Sequence, residues 1–175
     1  RQSEHAGLCW GELLSEHGEQ GLSRKTTSHV WLGVDDTHGP YVFFYRTKND
    51  LNHRLPLTPM VLNLLRLRQE SAALETQRRG FGSKSRRFVF PARSRYSKSG
   101  HYTDSTDLLR ALREEIQVEK LSRHDLRRSF GAVMTSIDVP EGIKRRLLNH
   151  AGSNVTDTYT RAEWTLLRDW MAKIE

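Results

Sequence analysis

Two short segments of the sequence carry side chains suited to phosphate chemistry. In HDLRRSFG, residues 124 to 131, His124 and Arg127 are three positions apart, so they would project from one side of the first turn of a helix. The amides and the dipole at a helix start attract an anion, and a guanidinium can hold one through two hydrogen bonds. The pair predicts either a phosphate pocket or a structural arginine bound to a carboxylate such as Asp125, and these residues alone leave both interpretations open.

In LLNHAGSNVTDTYTR, residues 147 to 161, His150 and Tyr159 are nine positions apart. The small polar residues between them predict a loop that returns the tyrosine to the pocket lined by the histidine. A lone tyrosine usually packs with its hydroxyl in water. A phenol presented beside an anion pocket in a basic protein instead indicates attack on a phosphodiester, with arginines stabilising the charge on the phosphorus oxygens. Such a reaction needs no metal.

The charge balance favours a polyanionic partner. Lys and Arg number 28 against 21 Asp and Glu, a formal charge of +7, and nucleic acid is the first choice for such a protein. The most basic part is residues 78–98, with eight basic side chains and no acidic one. The candidate contacts to the DNA backbone there are Arg78, Arg79, Lys84, Arg86 and Arg87. A solvated loop is the alternative interpretation.

Cysteine content and hydropathy exclude internally disulfide-bonded and cysteine-rich zinc proteins and argue against a membrane protein. Cys9 is the single cysteine, which excludes an internal disulfide and a cysteine-rich zinc site. The sequence has no run of eighteen apolar residues and no export signal, so we expect no membrane partner. We expect a cytoplasmic, nucleoid-associated protein.

The period of the apolar side chains predicts the elements that position these residues. The opening segment RQSEHAGLCWGELL predicts a helix. Between His29 and Thr58, β-branched and aromatic residues separated by turn sequences predict a small antiparallel sheet. Thr58 followed by Pro59 predicts the start of a helix that runs to about Leu74.

Four further helical patterns follow the basic segment. The first has an apolar face that we expect to pack on the core, at Leu108, Leu109, Leu112 and Ile116. Ser122 and Asp125 are spaced as a capping pair that opens a buried helix, and a short helix follows from Pro140 to about His150. The C-terminal helix carries an apolar stripe at Trp164, Leu167, Met171 and Ile174. The fold class is therefore α+β, with one mainly helical domain over residues 1–175.

Taken together, these segments resemble the tyrosine recombinases, also called phage integrases. The family's His-x-x-Arg falls on His124 and Arg127, its later histidine on His150 and its nucleophile on Tyr159. The β-hairpin lysine of the family falls on Lys48, in RTKND. The resemblance spans essentially the whole chain.

The first catalytic arginine of the family has two candidate positions. Arg1 is favoured, because the positions that follow it match the family's offsets at Ser3, Glu4, Leu8 and Trp10. A rival alignment places AGLCWGELL on the family's Gly-x-Arg-x-Gly-Glu segment. Cys9 would then replace the arginine, and the chain would be catalytically impaired.

The resemblance implies a mainly helical catalytic domain with a small antiparallel sheet, which cleaves and rejoins double-stranded DNA through a 3′-phosphotyrosyl intermediate. The residues implied for the reaction are the nucleophile Tyr159, the phosphate ligands Arg1, Arg127 and His150, the general acid Lys48 and the proton-transfer residue His124. The family requires neither ATP nor a metal, so no cofactor is expected. The resemblance also implies a homo-oligomer on DNA, a tetramer joined through the C-terminal helix, and a monomeric fragment is the alternative. It implies that the domain is N-terminally incomplete, without the family's core DNA-binding domain.

Three alternative functions are also compatible with the sequence. A type IB topoisomerase would use similar chemistry and religate the same strand. A catalytically impaired relative would bind DNA without cleavage, as the Cys9 alignment implies. A generic helical interaction domain would require both motifs to be coincidences.

Overall fold

The computed structural model describes residues 7–14, 23–33, 38–47, 50–79, 86–92, 94, 96–150 and 161–175, without the side chains of residues 76 and 79. The chain divides into two compact units. The sheet unit comprises residues 1–103, 156–173 and 175, and the helical unit comprises residues 104–155 and 174. A single domain over residues 1–175 stays a prediction.

Five helices and four strands are present in the described residues. The helices are α1 (Pro59–Arg79), α2 (Thr106–Glu115), α3 (Arg123–Ser136), α4 (Glu141–Leu147) and α5 (Arg161–Ile174). The strands are β1 (Cys9–Trp10), β2 (His29–Trp31), β3 (Tyr41–Phe44) and β4 (His53–Pro56). This confirms the α+β class. None of the described helices is long and apolar enough to cross a membrane.

The sheet has the strand order β1-β2-β3-β4. β2, β3 and β4 are antiparallel neighbours, with His29 opposite Phe43 and Phe43 opposite Arg54, as the sequence predicted for this region. β1 runs parallel to β2. The sheet is therefore mixed and not purely antiparallel.

The predicted opening helix is wrong for the residues that the structure describes. Leu8, Cys9 and Trp10 are consecutive and all buried, which is the pattern of a strand covered on both faces and not of an amphipathic helix. A 3₁₀ turn at Gly11–Leu13 follows β1. Residues 1–6 lie outside the described residues.

The core of the sheet unit lies between the sheet and α1. Its buried residues are Leu8, Trp10, Val30, Leu32, Phe44 and Val89. Leu62 and Leu65 of α1 pack against this cluster. α1 begins where Thr58 and Pro59 predicted, and the Leu62 amide donates to the Thr58 carbonyl at 2.8 Å. It continues to Arg79, past the predicted end near Leu74, because residues 75–79 contain neither Gly nor Pro.

The opposite face of the sheet carries aromatic residues and one arginine. The Arg54 guanidinium lies 4.7 Å from the ring centre of Tyr41 and 5.6 Å from that of Phe43. α5 packs against the turn that precedes β3: the Trp164 indole N–H donates to the His38 carbonyl at 2.6 Å, and the two rings are 5.2 Å apart. The predicted C-terminal helix is confirmed, and Trp164 of its stripe is buried within the sheet unit.

The three helices of the helical unit all end in the same way. The residue after each C-cap is left-handed, with φ 54 at Gln117, 54 at Asp138 and 50 at Asn149. The next amide then donates back to a carbonyl of the last helical turn, as in the 2.9 Å bond from Val139 to Met134. This Schellman geometry satisfies terminal carbonyls and turns the chain sharply out of each helix.

The helical unit has a small core. Its buried apolar residues are Leu109, Met134, Val139 and Leu147. The prediction that α3 is buried is wrong, because Met134 alone among its apolar side chains is buried and Val133 is 41% exposed. Leu108 and Ile116 of the expected core face of α2 are also exposed. Three short helices bury little surface, since a unit of this size has few elements to cover each face.

Candidate functional site

A reciprocal cap fixes the first turn of α3. Ser122 Oγ accepts the Asp125 amide at 3.2 Å, and Asp125 Oδ2 accepts the amide and the hydroxyl of Ser122 at 3.0 and 2.6 Å. These hydrogen bonds from Ser122 lower the pKa of Asp125 below its usual range. The predicted capping pair is confirmed, and it sets the direction in which His124 and Arg127 leave the helix.

Arg127 is exposed and reaches the end of α4. Its Nη2 donates to the Leu148 carbonyl. The Asp125 carboxylate lies 3.8 Å from Arg128, and among the described residues Arg127 has no ion pair with Asp125. Asp125 is therefore not the carboxylate partner of a structural Arg127. Because a guanidinium has five N–H donors, the contact with Leu148 leaves donors for an anion.

His150 follows the same helix end. Its amide donates to the Arg145 carbonyl at 3.0 Å, and the left-handed Asn149 before it turns the chain out of α4. Leu148, which binds Arg127, lies two residues before His150. The structure thus brings Arg127 to the backbone that presents His150, and His124 leaves α3 one turn before Arg127. Both histidines are exposed.

The two helices add further positive charge. Arg123 and Arg128 flank the predicted residues on α3, and the last turn of α4 holds three basic residues. Arg145 is paired with Glu141 at 3.1 Å. A surface of this composition raises the local concentration of polyanions.

Several predicted site residues lie outside the described residues, namely Arg1, Lys48, Lys84 and Tyr159. The strands on either side of Lys48, β3 and β4, are paired in antiparallel fashion with Phe44 opposite His53. α5 begins at Arg161, two residues after Tyr159. The chemical roles of these four residues stay predictions.

The predicted DNA-contacting segment is described in part. Arg78 is exposed near the end of α1, and Arg79 lies in α1 with its side chain outside the described atoms. Arg86 is exposed, whereas Arg87 is half-buried with its guanidinium 5.6 Å from the ring centre of Phe88. The Arg87 carbonyl accepts the Trp10 amide at 2.8 Å. Arg87 therefore also joins the basic segment to β1.

Cys9, the rival position for the first arginine, is buried and 1% exposed. Burial raises the pKa of its thiol to about 11, with the nearby Arg87 opposing that change. A neutral, enclosed thiol offers no positive charge to a phosphate. Within the described residues there is also no group of three or more His, Cys, Asp or Glu that could hold a metal.

Sequence reasoning missed two arginines whose side chains connect α2 and the start of α3. Arg113 donates through Nε and Nη2 to the Leu121 carbonyl at 3.0 and 2.8 Å. Arg123 Nη1 donates to Ser105 Oγ at 2.8 Å. The acceptor of Arg113 is a main-chain carbonyl, which every residue has, so no pattern of residue types signals this contact.

Known proteins resemble the chain over most of its length. The model of the phage integrase family matches residues 1–164. Prophage integrase IntF of Escherichia coli strain K12 is 30% identical over 122 residues, which cover 69% of this chain and 24% of that integrase. No solved structure matches the chain. With nearly its whole length matched, the chain belongs to the phage integrase family, the tyrosine recombinases.

Proposed function

We propose that this chain is the catalytic domain of a site-specific recombinase that cleaves and rejoins double-stranded DNA. The observation that carries the proposal is the hydrogen bond from Arg127 to the Leu148 carbonyl. It ties the arginine of the His-x-x-Arg motif to the helix end that presents His150. Family membership and the similarity to a prophage integrase support the same function.

The proposed reaction exchanges one phosphodiester for another. The phenol oxygen of Tyr159 forms a bond to phosphorus while the bond from phosphorus to the 5′-oxygen breaks. The products are a 3′-phosphotyrosyl bond and a free 5′-hydroxyl. Lys48 gives a proton to the leaving oxygen, and His124 assists in removing the proton of the phenol. The covalent bond conserves the energy of the phosphodiester, so rejoining needs no ATP.

The sequence match to the family's motifs supports three phosphate ligands, and the position of Arg127 beside the helix end before His150 supports two of them. Arg127 and Arg1 are proposed to hold the non-bridging oxygens, and His150 to donate a further hydrogen bond. The burial of Cys9 supports Arg1 as the first arginine, because an enclosed thiol cannot neutralise phosphate charge. The DNA backbone is proposed to run along the basic segment, residues 78–98.

We also propose a homo-oligomer, a tetramer, on DNA. The C-terminal helix is the proposed connection, and its Leu166 is 44% exposed. Trp164 and Leu167 are already buried within the sheet unit, so the exposed side of α5 is the part left for a neighbour. Because the substrate would be chromosomal DNA, the proposed location is the nucleoid.

A nicked suicide substrate tests the proposed function, with the full-length protein. We expect wild type to form a covalent protein–DNA adduct on a denaturing gel and Tyr159→Phe to bind DNA without an adduct. Arg127→Ala should lower the cleavage rate by about 100-fold or more. Arg110→Ala, which removes an exposed arginine of α2 paired with Asp107, should cleave like wild type.

Three outcomes would count against the proposal. An adduct that persists in Tyr159→Phe would rule out this nucleophile. DNA binding by wild type without any adduct on cognate sites would indicate an impaired DNA-binding relative. Relaxed plasmid without recombinant product would indicate a topoisomerase.

A further inference from the structure

We propose that Arg113 is a positioning residue for the phosphate-binding turn of α3. Arg113 belongs to α2, and among the predicted catalytic residues that the structure describes, its side-chain hydrogen bonds reach none: they end on the Leu121 carbonyl. The inference rests on the proposed function, because the position of this turn affects rate only if Arg127 and His124 act on a phosphate.

Arg113 makes hydrogen bonds at both ends of the connector between α2 and α3, residues 116–121. Its own carbonyl accepts the Val118 amide at 3.0 Å, which closes α2. Its guanidinium ends on the Leu121 carbonyl, with Nε at 3.0 Å and Nη2 at 2.8 Å. The first bond is a main-chain one that any residue at position 113 would make, so the arginine side chain itself acts at the entry to α3.

The peptide group that accepts the guanidinium hydrogen bonds also takes part in the cap of α3. The Leu121 carbonyl and the Ser122 amide belong to the same planar peptide group. The Ser122 amide donates to Asp125 Oδ2 at 3.0 Å, which is half of the reciprocal cap. Arg113 thus holds the carbonyl side of the peptide whose N–H side closes the cap.

A rotation of the Leu121–Ser122 peptide would displace His124 and Arg127. Ser122 Oγ would move from the Asp125 amide, now 3.2 Å away, and the first turn of α3 would lose its fixed start. His124 lies in that turn, and Arg127 follows within the next. Because reactive groups must be held closely to their working geometry, such a displacement lowers rate more than it lowers binding.

The residue type suits this task. Two N–H groups of a planar guanidinium converge on one carbonyl oxygen and restrict its direction, whereas a lysine ammonium is a flexible point donor. Arg110 provides a matched control on the same helix. Its Nη2 lies 3.0 Å from Asp107 Oδ1 in an exposed ion pair within α2.

The experiment uses the full-length protein and the nicked suicide substrate. It measures the single-turnover cleavage rate at saturating DNA and, separately, the Kd for DNA. We expect Arg113→Ala to cleave at least about tenfold more slowly, with a Kd changed no more than that of Arg110→Ala. Arg113→Lys should be slowed less. Ethylguanidinium should accelerate Arg113→Ala and leave wild type unchanged.

Equal rates for Arg113→Ala and Arg110→Ala, or a change in Kd alone, would overturn the inference. If Arg113→Ala does not fold, a wild-type rate in Arg113→Lys would overturn it. Amide hydrogen exchange supplies a readout that needs no cleavage: exchange at residues 122–127 should be faster in Arg113→Ala or Arg113→Lys than in Arg110→Ala, and equal exchange would also overturn the inference. Absence of an adduct in wild type would instead refute the proposed function, and hydrogen exchange would then decide whether Arg113 holds the turn.

Discussion

Gly11 has a steric role at the residue scale. An ideal Cβ on Gly11 would lie 2.9 Å from the Val30 carbonyl oxygen and 2.9 Å from His29 Cδ2. We expect Gly11→Ala to lower the free energy of unfolding by about 1–3 kcal/mol, because the backbone of β2 would have to move. At Gly7 no atom of the described residues lies within 4 Å of such a Cβ, so Gly7→Ala is the matched control. Urea denaturation measures both, and equal effects would contradict this account.

The stability of the sheet unit is expected to depend on pH through His29. Burial lowers its pKa below the ordinary value of 6.5, and the hydrogen bond from Nδ1 to the Thr27 carbonyl, 2.9 Å long, opposes the shift only in part. The folded state therefore binds this proton less readily than the unfolded state. Its contribution to stability is present above pH 6.5 and is lost as the pH falls from there toward the folded-state pKa.

The corresponding variant is His29→Gln, which cannot titrate. Between pH 6.5 and 5, wild-type stability should fall more steeply than that of His29→Gln, by up to about 1.4 kcal/mol per pH unit. Chemical denaturation across this pH range measures the difference in slope. Parallel curves would show that His29 does not titrate differently in the two states.

At the scale of the element, the end of α4 determines where His150 lies. Asn149 is left-handed at φ 50, a conformation that glycine adopts freely and a β-branched residue adopts only at a cost. We expect Asn149→Val to be destabilised by about 1–2 kcal/mol and to cleave DNA more slowly, with Asn149→Gly close to wild type in both. Thermal melting and the suicide-substrate assay measure these effects. Equal behaviour of the two variants would mean that the turn does not position His150.

Local signals predicted some elements well and others poorly. Ser122 and Asp125 form the predicted cap because the signal lies within four residues. The opening segment was misread because Leu8, Cys9 and Trp10 are all buried in the folded sheet unit, and a short apolar run does not distinguish a strand from a helix. The exposure of Val133 on α3 likewise depends on which elements surround it, which periodicity cannot report.

At the scale of the whole molecule, the net charge of +7 predicts DNA binding that weakens with salt. Arg78 and Arg86 are exposed members of the basic segment. Replacing both with Gln should weaken binding to all sequences alike and reduce the slope of log K against log salt by roughly 1 for each phosphate that is no longer neutralised. Fluorescence anisotropy across a salt series, with Arg110→Gln as control, measures the slope. Identical slopes would show that this segment does not contact the DNA backbone and would favour the alternative interpretation, a solvated loop.

The site was predictable to the extent that its residue types occur in two close motifs. His124 and Arg127 were visible at a spacing of three and His150 beside a helix stop. The contact of Arg127 with the Leu148 carbonyl could not be predicted, because it joins residues 21 positions apart through a main-chain atom. The contact of Arg113 with the Leu121 carbonyl could not be predicted for the same reason. Long-range hydrogen bonds to backbone carbonyls leave no pattern of residue types in a sequence.

The most direct test of the account is to identify the residue that becomes bonded to DNA. The full-length protein would be trapped on a nicked suicide substrate, digested with protease, and the peptide that carries nucleotide located by mass spectrometry. We expect a phosphodiester on Tyr159, joined to the 3′ end of the cleaved strand. Attachment at any other residue, or to a 5′ end, would contradict the account.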